Sequence, residues 1–321
     1  MKSILVVGIG NFGAWWVLSL SKIKTPTKIY CFDTDPSKYD VLKKRLDNDK
    51  LLALTQHKLY FLNSISDAQK DLDVIVVSTN ADIRLKIVQE LRQLYSTKNW
   101  IIEKVIVQSS DQLTTLIDCL HTQNVYVNHS RRLQPSTNFC KAILRSKPLP
   151  IRVRYLGGCW ELISNSFHFV DMLSYWFETE LVKIDTRGLY NHWHQSSTRH
   201  GFFDVRGILK AHFRNEIQLD MDWSDGNNNA TWIFEYADGE FKYNETTGEI
   251  FKDGILLAIV PLLNFSEMGA LLEPILIGDK KNSNILPLLT DVHKGTSLML
   301  DAYLSHWRKS TDTQNQVVPI S

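Results

Sequence analysis

The chain has 321 residues, 44% hydrophobic and 22% charged, and its 36 Lys and Arg nearly cancel 35 Asp and Glu for a net charge of +1. That length and composition fit roughly two globular domains. They exclude the basic footprint with which nucleic-acid binders displace counterions, so the expected ligand is small and read by local groups. Cys31, Cys119, Cys140 and Cys159 are widely spaced and form no CxxC pair, which predicts free thiols and a cytoplasmic, reducing setting. The opening MKSILVVGIG reads as a first strand rather than a signal peptide. The most apolar later stretch, GILLAIVPLLNF, is too short to span a bilayer and contains Pro261, so no membrane segment is expected.

Along the first half, strand and helix alternate. ILVVG is a short apolar run suited to a parallel strand buried on both faces, and NFGAWWVLSLSKI is apolar at helical spacing up to Pro26. KIYCFD gives a second strand, and Asp35-Pro36 opens the next helix, where the missing proline N–H is harmless. LYFLNS and DVIVVST follow as strands. The helix ADIRLKIVQELRQLY repeats Ile83, Ile87, Leu91 and Leu94, which predicts one buried face. WIIEKVIV and VYVNH complete six strands, and such alternation implies a doubly wound parallel sheet, a Rossmann domain over 1–127.

The second half changes period. Pro148 and Pro150 punctuate a junction after the helix near TNFCKAILR. IRVRYLG, LVKIDTRGLY, DVRGILKAHF, IQLDMDW, TWIFEYADGEFKY and EIFKDGILL then alternate in twos, with Asp225-Gly226, Asp238-Gly239 and Asp253-Gly254 as hairpin turns. The expectation over 128–321 is an α+β domain with a mostly antiparallel open sheet. Its helices are NSFHFVDMLSYWF and the C-terminal 290–308, which is free to pack back on the first domain. The polar tail from Ser310 is expected to be loose.

Gly8-Ile9-Gly10-Asn11-Phe12-Gly13 follows a strand and opens a helix. In a dinucleotide fingerprint the first glycine permits the tight turn, the second lets backbone approach a pyrophosphate, and the third lets helix and sheet pack closely. The helix N-terminus turns free N–H groups and a positive dipole end toward the phosphates. Asp33 ends the second strand twenty residues after Gly13, where a carboxylate accepts from a ribose diol and repels a 2′-phosphate. NAD is therefore expected, with Lys38 nearby leaving NADP open. The bland alternative is that the glycines only shape a turn.

Ile102-Glu103-Lys104-Val105, the segment Val127-Asn128-His129-Ser130-Arg131-Arg132, the helix Asn165-Ser166-Phe167-His168-Phe169-Val170-Asp171 and the closing Leu286-Pro287 join GIGNFG in a recognisable set. Together they resemble the Gfo/Idh/MocA family, the glucose–fructose oxidoreductase and inositol dehydrogenase relatives, over nearly the whole chain. The variant set EKVIVQS, VNHSRR and ISNSFHFVD is similar to a subgroup linked to bacterial surface-sugar biosynthesis.

The resemblance implies NAD(P)-dependent hydride transfer at a hydroxyl carbon of a sugar, sugar acid or nucleotide sugar. It also implies a homo-oligomer formed through the second sheet. Family members usually carry Glu-Lys-Pro, where this chain has Val105 for the proline. They also place an aspartate four residues before the histidine, where this chain has Ser164.

The expected cofactor set is Gly8, Gly10, Asn11, Phe12, Gly13, Asp33, Thr79, Asn80, Glu103 and Lys104. His168 suits proton transfer near neutral pH, Lys104 would anchor developing charge, and Asn165 would ligate a polyol. Ser164, Trp160, Arg131 and Arg199 are candidate substrate contacts. His168 between two phenylalanines equally reads as a satisfied core histidine, and Arg131 with Arg132 as either an anion clamp or a solvated helix start. Asp171 reads as structural. His192 and His194 lack a third ligand, so no metal is expected. Trp193 and Trp160 are candidate platforms for a sugar face. Two further readings stay open: an enzyme using bound NAD transiently without net redox, and a non-catalytic protein that senses NAD or a sugar.

Overall fold

The computed structural model describes residues 1–48, 56–157, 160–197, 199–224, 230–278 and 286–321. Cys159 and the Asp225-Gly226 turn lie outside them. The chain divides into two compact units.

The first unit comprises residues 1–107, 111–133 and 263–291. Its sheet contains β1 (Lys2–Val7), β2 (Thr27–Phe32), β3 (Lys58–Phe61), β4 (Val74–Val77), β5 (Asn99–Ile102) and β6 (Asn124–Val127). The order is β3-β2-β1-β4-β5-β6 and every pairing is parallel. This is the doubly wound Rossmann order, reversing direction between β1 and β4. All six strands stand where the apolar runs predict them, most plainly β1 and β4, which are covered on both faces and apolar almost throughout. β5 is shorter than WIIEKVIV suggests: it ends at Ile102, and residues 103–107 continue as buried irregular chain.

The helices of this unit include α1 (Asn11–Leu20), α2 (Ser37–Asn48), α3 (Ala81–Leu94) and α4 (Ser110–Leu120). The buried face of α3 is Ala81, Arg84, Val88 and Leu91, and Ile83 is 47% exposed. The predicted face is therefore rotated. Arg84 points inward, where backbone carbonyls bind its guanidinium.

Residues 263–291, which the sequence pattern assigns to the second domain, belong to the first unit. Met268, Leu272, Ile275 and Leu276 join the core around α1 and β1, and Phe265 meets the Trp16 ring edge-on at 4.8 Å. Burial of apolar area overrides chain order here.

The second unit comprises residues 108–110, 134–262 and 292–321. It contains helices α5 (Pro135–Leu144), α6 (Leu162–Phe177) and most of α8 (Leu289–Thr311), while α7 (Gly269–Ile277) belongs to the first unit. Its strands are β7 (Arg152–Leu156), β8 (Leu181–Gln195), β9 (Phe203–Phe213), β10 (Gln218–Asp222), β11 (Thr231–Tyr236), β12 (Gly239–Asn244), β13 (Glu249–Lys252) and β14 (Ile255–Ile259). The order is β14-β13-β12-β11-β7-β10-β9-β8, antiparallel except for the β7–β10 pair. Asp253 and Gly254 both have positive φ, as the predicted two-residue hairpin turn requires.

The core of this unit is aromatic. Phe169 of α6 stacks on Tyr155 of β7 at 3.9 Å, Trp176 meets Trp232 edge-on, and Glu245 accepts from Tyr155 Oη and Trp232 Nε1. Trp193 also belongs to the interior, packed against Trp307 and donating to Ser310 Oγ. Its role as a sugar platform is thereby withdrawn.

The tail is not loose. Val318 and Ile320 are buried, Val318 N–H donates to the Gln108 carbonyl, and Phe203 N–H donates to the Pro319 carbonyl. The polar stretch from Ser310 ends in an apolar Val-Val-Pro-Ile whose burial outweighs the disorder expected of polar sequence.

Candidate functional site

In the first unit the candidate residues begin with the loop between β1 and α1. Gly8 has φ +86°, and a Cβ there would meet the Thr79 amide nitrogen at 2.8 Å. A Cβ on Gly13 would sit 1.8 Å from the Gly8 carbonyl oxygen. By contrast, a Cβ on Gly10 would meet nothing within 4 Å. Gly8 and Gly13 are therefore demanded by the protein's own packing. Gly10 keeps space open in front of the α1 N-terminus, which has no side-chain cap and no acidic residue in its first turn. An open cradle lined by uncapped N–H groups fits the pyrophosphate of a dinucleotide.

Asp33 is half-buried, and its carboxylate accepts from the Ile9 N–H at 2.6 Å and the Asp35 N–H at 2.9 Å. It is thus tied to the glycine loop. Lys38 faces Asp35 at 3.3 Å, and Arg45 Nη2 donates to Asn11 Oδ1 at 2.9 Å. Phe12 and Asn11 are exposed, Thr79 is half-buried, and Asn80 is exposed at the start of α3.

Lys104 follows β5, half-buried, and its bond to Val105 is cis. Its neighbour Glu103 is only 4% exposed and turns inward: Oε1 accepts from Trp16 Nε1 and from Asn128 Nδ2, both at 2.6 Å. Burial pushes the Glu103 carboxyl up, against those two hydrogen bonds and the nearby charges of Arg84 and Lys104. In this arrangement Glu103 braces β5 against α1 and the end of β6, rather than lining the loop cradle. Arg131, in a short turn after β6, is half-buried and belongs to this same unit.

A separate group of candidate residues, in the second unit, is built on α6. Ser164 and His168 are buried and one turn apart, with Asn165 half-buried beside them. Asp171 is buried on the same helix. Ser164 Oγ donates to Glu161 Oε2 at 3.1 Å, and Asn165 Nδ2 donates to the Glu161 carbonyl at 2.7 Å. Glu161 also accepts from Ser196 Oγ, and Arg199 Nη1 approaches Glu161 Oε2 at 4.0 Å. Arg199 Nη1 donates to the Ser321 carbonyl. Trp160, partly exposed, is held through its carbonyl by Trp223 Nε1 at 2.6 Å.

A carboxylate thus stands beside Ser164 from one turn earlier, that of Glu161. Neither Glu161 nor its partner Ser196 was legible as part of the site, since no motif spacing marks them. Burial holds His194 below the usual histidine range, with Arg206 nearby adding to the effect and Glu161 opposing it. Among the described residues no group of three His, Cys, Asp or Glu could hold a metal.

Asp204, on β9, is a second residue that the sequence does not mark. Its carboxylate accepts from the Leu162 and Ile163 N–H groups at 2.7 and 2.8 Å, which caps α6 from outside the helix. Burial lifts its carboxyl to about 7, against those bonds and with help from the Glu161 charge. Between the unfolded value near 4 and about 7, the folded chain therefore holds a proton that the unfolded chain has released. This group's contribution to stability falls as pH rises through that window. In Asp204→Asn that slope is expected to vanish. The wild-type minus variant unfolding free energy should drop by up to about 4 kcal/mol between pH 4 and pH 7.5. Denaturant curves at both pH values with an unchanged difference would refute it.

No family model and no curated protein sequence matches the chain. Solved structures do. The fold is similar to that of UDP-N-acetylglucosamine 3-dehydrogenase GnnA from Acidithiobacillus ferrooxidans, at TM-score 0.68 and 10% identity, covering 96% of this chain and 99% of that one. It is also similar to an oxidoreductase from Agrobacterium radiobacter in complex with NAD+, L-tartaric acid and magnesium, at TM-score 0.68 and 13% identity, covering 95% and 96%. A super-repressor mutant of Gal80p from Saccharomyces cerevisiae matches at TM-score 0.70 and 11% identity, covering 96% and 97%. At such identities the likeness establishes the fold: a Rossmann sheet with helices plus a mostly antiparallel eight-stranded sheet.

Proposed function

We propose that this chain is an NAD-dependent oxidoreductase that moves a hydride to or from a hydroxyl carbon of a sugar, sugar acid or nucleotide sugar. The observation that carries this reading is the loop cradle, open at Gly10 and bordered by an Asp33 carboxylate tied to the Ile9 N–H. Gly8, Gly10, Asn11, Phe12 and Gly13 would hold the pyrophosphate, Asp33 the adenosine ribose, and Thr79, Asn80 and Lys104 the remainder. The pairing of Lys38 with Asp35 favours NAD over NADP. When bound, the nicotinamide supplies hydride acceptance and donation.

The chain's own residues handle the proton. His168 takes it from the substrate hydroxyl or returns it, and Lys104 stabilises charge on that oxygen. Ser164 and Asn165 orient the polyol with Glu161 behind them, while Trp160, Arg131 and Arg199 are contacts for its outer groups. The names of the structurally similar dehydrogenase and of the NAD+-complexed oxidoreductase support this class. A cytoplasmic setting agrees with the buried free thiols of Cys31 and Cys140. Self-association through the second sheet is supported by β14, an edge strand with Ile255 69% and Ile259 60% exposed.

A second reading, a non-catalytic NAD or sugar sensor, draws on the shared fold with Gal80p and on the loss of an acidic residue at Ser164. Calorimetric titration with NAD, NADH and NADPH, repeated on Asp33→Ala, tests the cofactor assignment. NAD is expected to bind and to weaken by roughly tenfold or more in the variant as the ribose bonds are lost. Absence of binding by cofactor-free wild type would refute the oxidoreductase reading and the NAD-sensing form of the second. Binding without turnover on any sugar-type substrate favours the sensor.

A further inference from the structure

We propose that Arg84 is a positioning residue whose buried guanidinium fixes, at once, the backbone that presents Lys104 and the backbone at the end of β4. The inference rests on the NAD-site reading of these two segments. Arg84 lies in the first turn of α3 and is 2% exposed. Its Nη1 donates to the Glu103 carbonyl at 2.8 Å, to the Ile106 carbonyl at 3.1 Å and to the Val105 carbonyl, and its Nη2 donates to the Thr79 carbonyl.

Two chain segments therefore meet on one side chain. Residues 103–107 have left the sheet, with Glu103 N–H still joined to the Val77 carbonyl. Val105, Ile106 and Val107 are buried, so water cannot serve carbonyls pointing into that interior. Only a planar fork of several N–H groups can reach carbonyls on both segments from one residue. A lysine ammonium has three donors at one point and cannot span them. Inside the same unit the Arg84 charge lies near the buried Glu103 side chain, which Trp16 and Asn128 hold, and opposes the upward push of burial on its carboxyl. Arg84 thus links the position of Lys104 to that of Thr79 and Asn80, although it reaches them only through backbone.

The test compares wild type, Arg84→Ala and Arg84→Lys in the full chain. Mass spectrometry follows the rate at which an amine-acylating reagent modifies Lys104, with exposed Lys309 of the second unit as internal reference. Arg84→Ala is expected to change the Lys104 rate severalfold, leave Lys309 unchanged, and weaken NAD binding on the order of tenfold. Guanidinium chloride at non-denaturing concentration should restore both by filling the vacated site, a rescue that a general loss of stability would not show.

If Arg84→Ala fails to fold, Arg84→Lys decides, since it keeps the charge and loses the fork. It should show the same change in smaller size. A wild-type Lys104 rate in a folded Arg84→Ala, or in Arg84→Lys, overturns the proposal. Wild type that binds no NAD defeats the cofactor reading alone, because the labelling comparison needs no cofactor.

Discussion

His168→Ala is expected to lower turnover by about 10²- to 10⁴-fold with NAD affinity nearly unchanged, and Lys104→Ala, which also loses a proposed cofactor contact, to lower turnover by about 10²- to 10³-fold. In the proposed reaction each group acts on the hydroxyl proton or oxygen, where charge changes only during the reaction. Removing His168 would raise the barrier without touching ground-state binding of the dinucleotide. His168 is buried on α6, one turn from Ser164, so the alanine leaves the helix N-terminal cap at Asp204 intact. Steady-state kinetics on an identified substrate, with calorimetry of NAD on the same samples, checks this. Wild-type kcat in either variant would remove that residue from the chemistry.

The second large effect concerns the fold itself. Gly13→Ala places a Cβ 1.8 Å from the Gly8 carbonyl oxygen and 2.8 Å from its carbon, both backbone atoms. Relief requires α1 to lift off the end of β1, which carries the unit's core residues Ile4 and Val6. A loss of about 3 kcal/mol or more is expected, at the upper end of overpacking costs. Gly10→Ala is the matched contrast: its Cβ meets nothing within 4 Å and its φ is −63°, so stability should hold within about 0.5 kcal/mol. NAD binding should nevertheless suffer, because the methyl occupies the cradle. Equal denaturation midpoints for Gly13→Ala and wild type would sink the first claim, and undiminished NAD binding by a folded Gly10→Ala the second.

Much of the fold was legible in the residues. Six runs give six parallel strands, and the signal is clearest in β1 and β4, whose burial on both faces demands nearly continuous apolar sequence. Period-two patterning with Asp-Gly turns marks the antiparallel sheet because one face is wetter than the other. The glycine loop and Asp33 are legible because their chemistry is local: all lie within 26 residues joined by one strand–helix–strand unit.

Less was legible where side chains meet across long separations. Glu161, Ser196 and Asp204 converge on the start of α6 from three different segments, and no periodicity announces such a meeting. Arg84 is buried where the apolar repeat of α3 predicted a face built on Ile83, Ile87, Leu91 and Leu94, so its guanidinium needs partners. The carbonyls that satisfy it come from the ends of two strands.

The tail and residues 263–291 follow the same rule. Local polarity predicted a loose end, whereas Val318 and Ile320 are buried, and chain order predicted a continuous second domain, whereas α7 completes the core around α1. What the sequence determined by itself is therefore what nearest neighbours along the chain decide: strand, helix, turn and the phosphate-type loop. What only the tertiary structure decided is which polar groups are paired once buried. Burial energy depends on surface removed from water and on partners found in space, and neither is a property of adjacent residues.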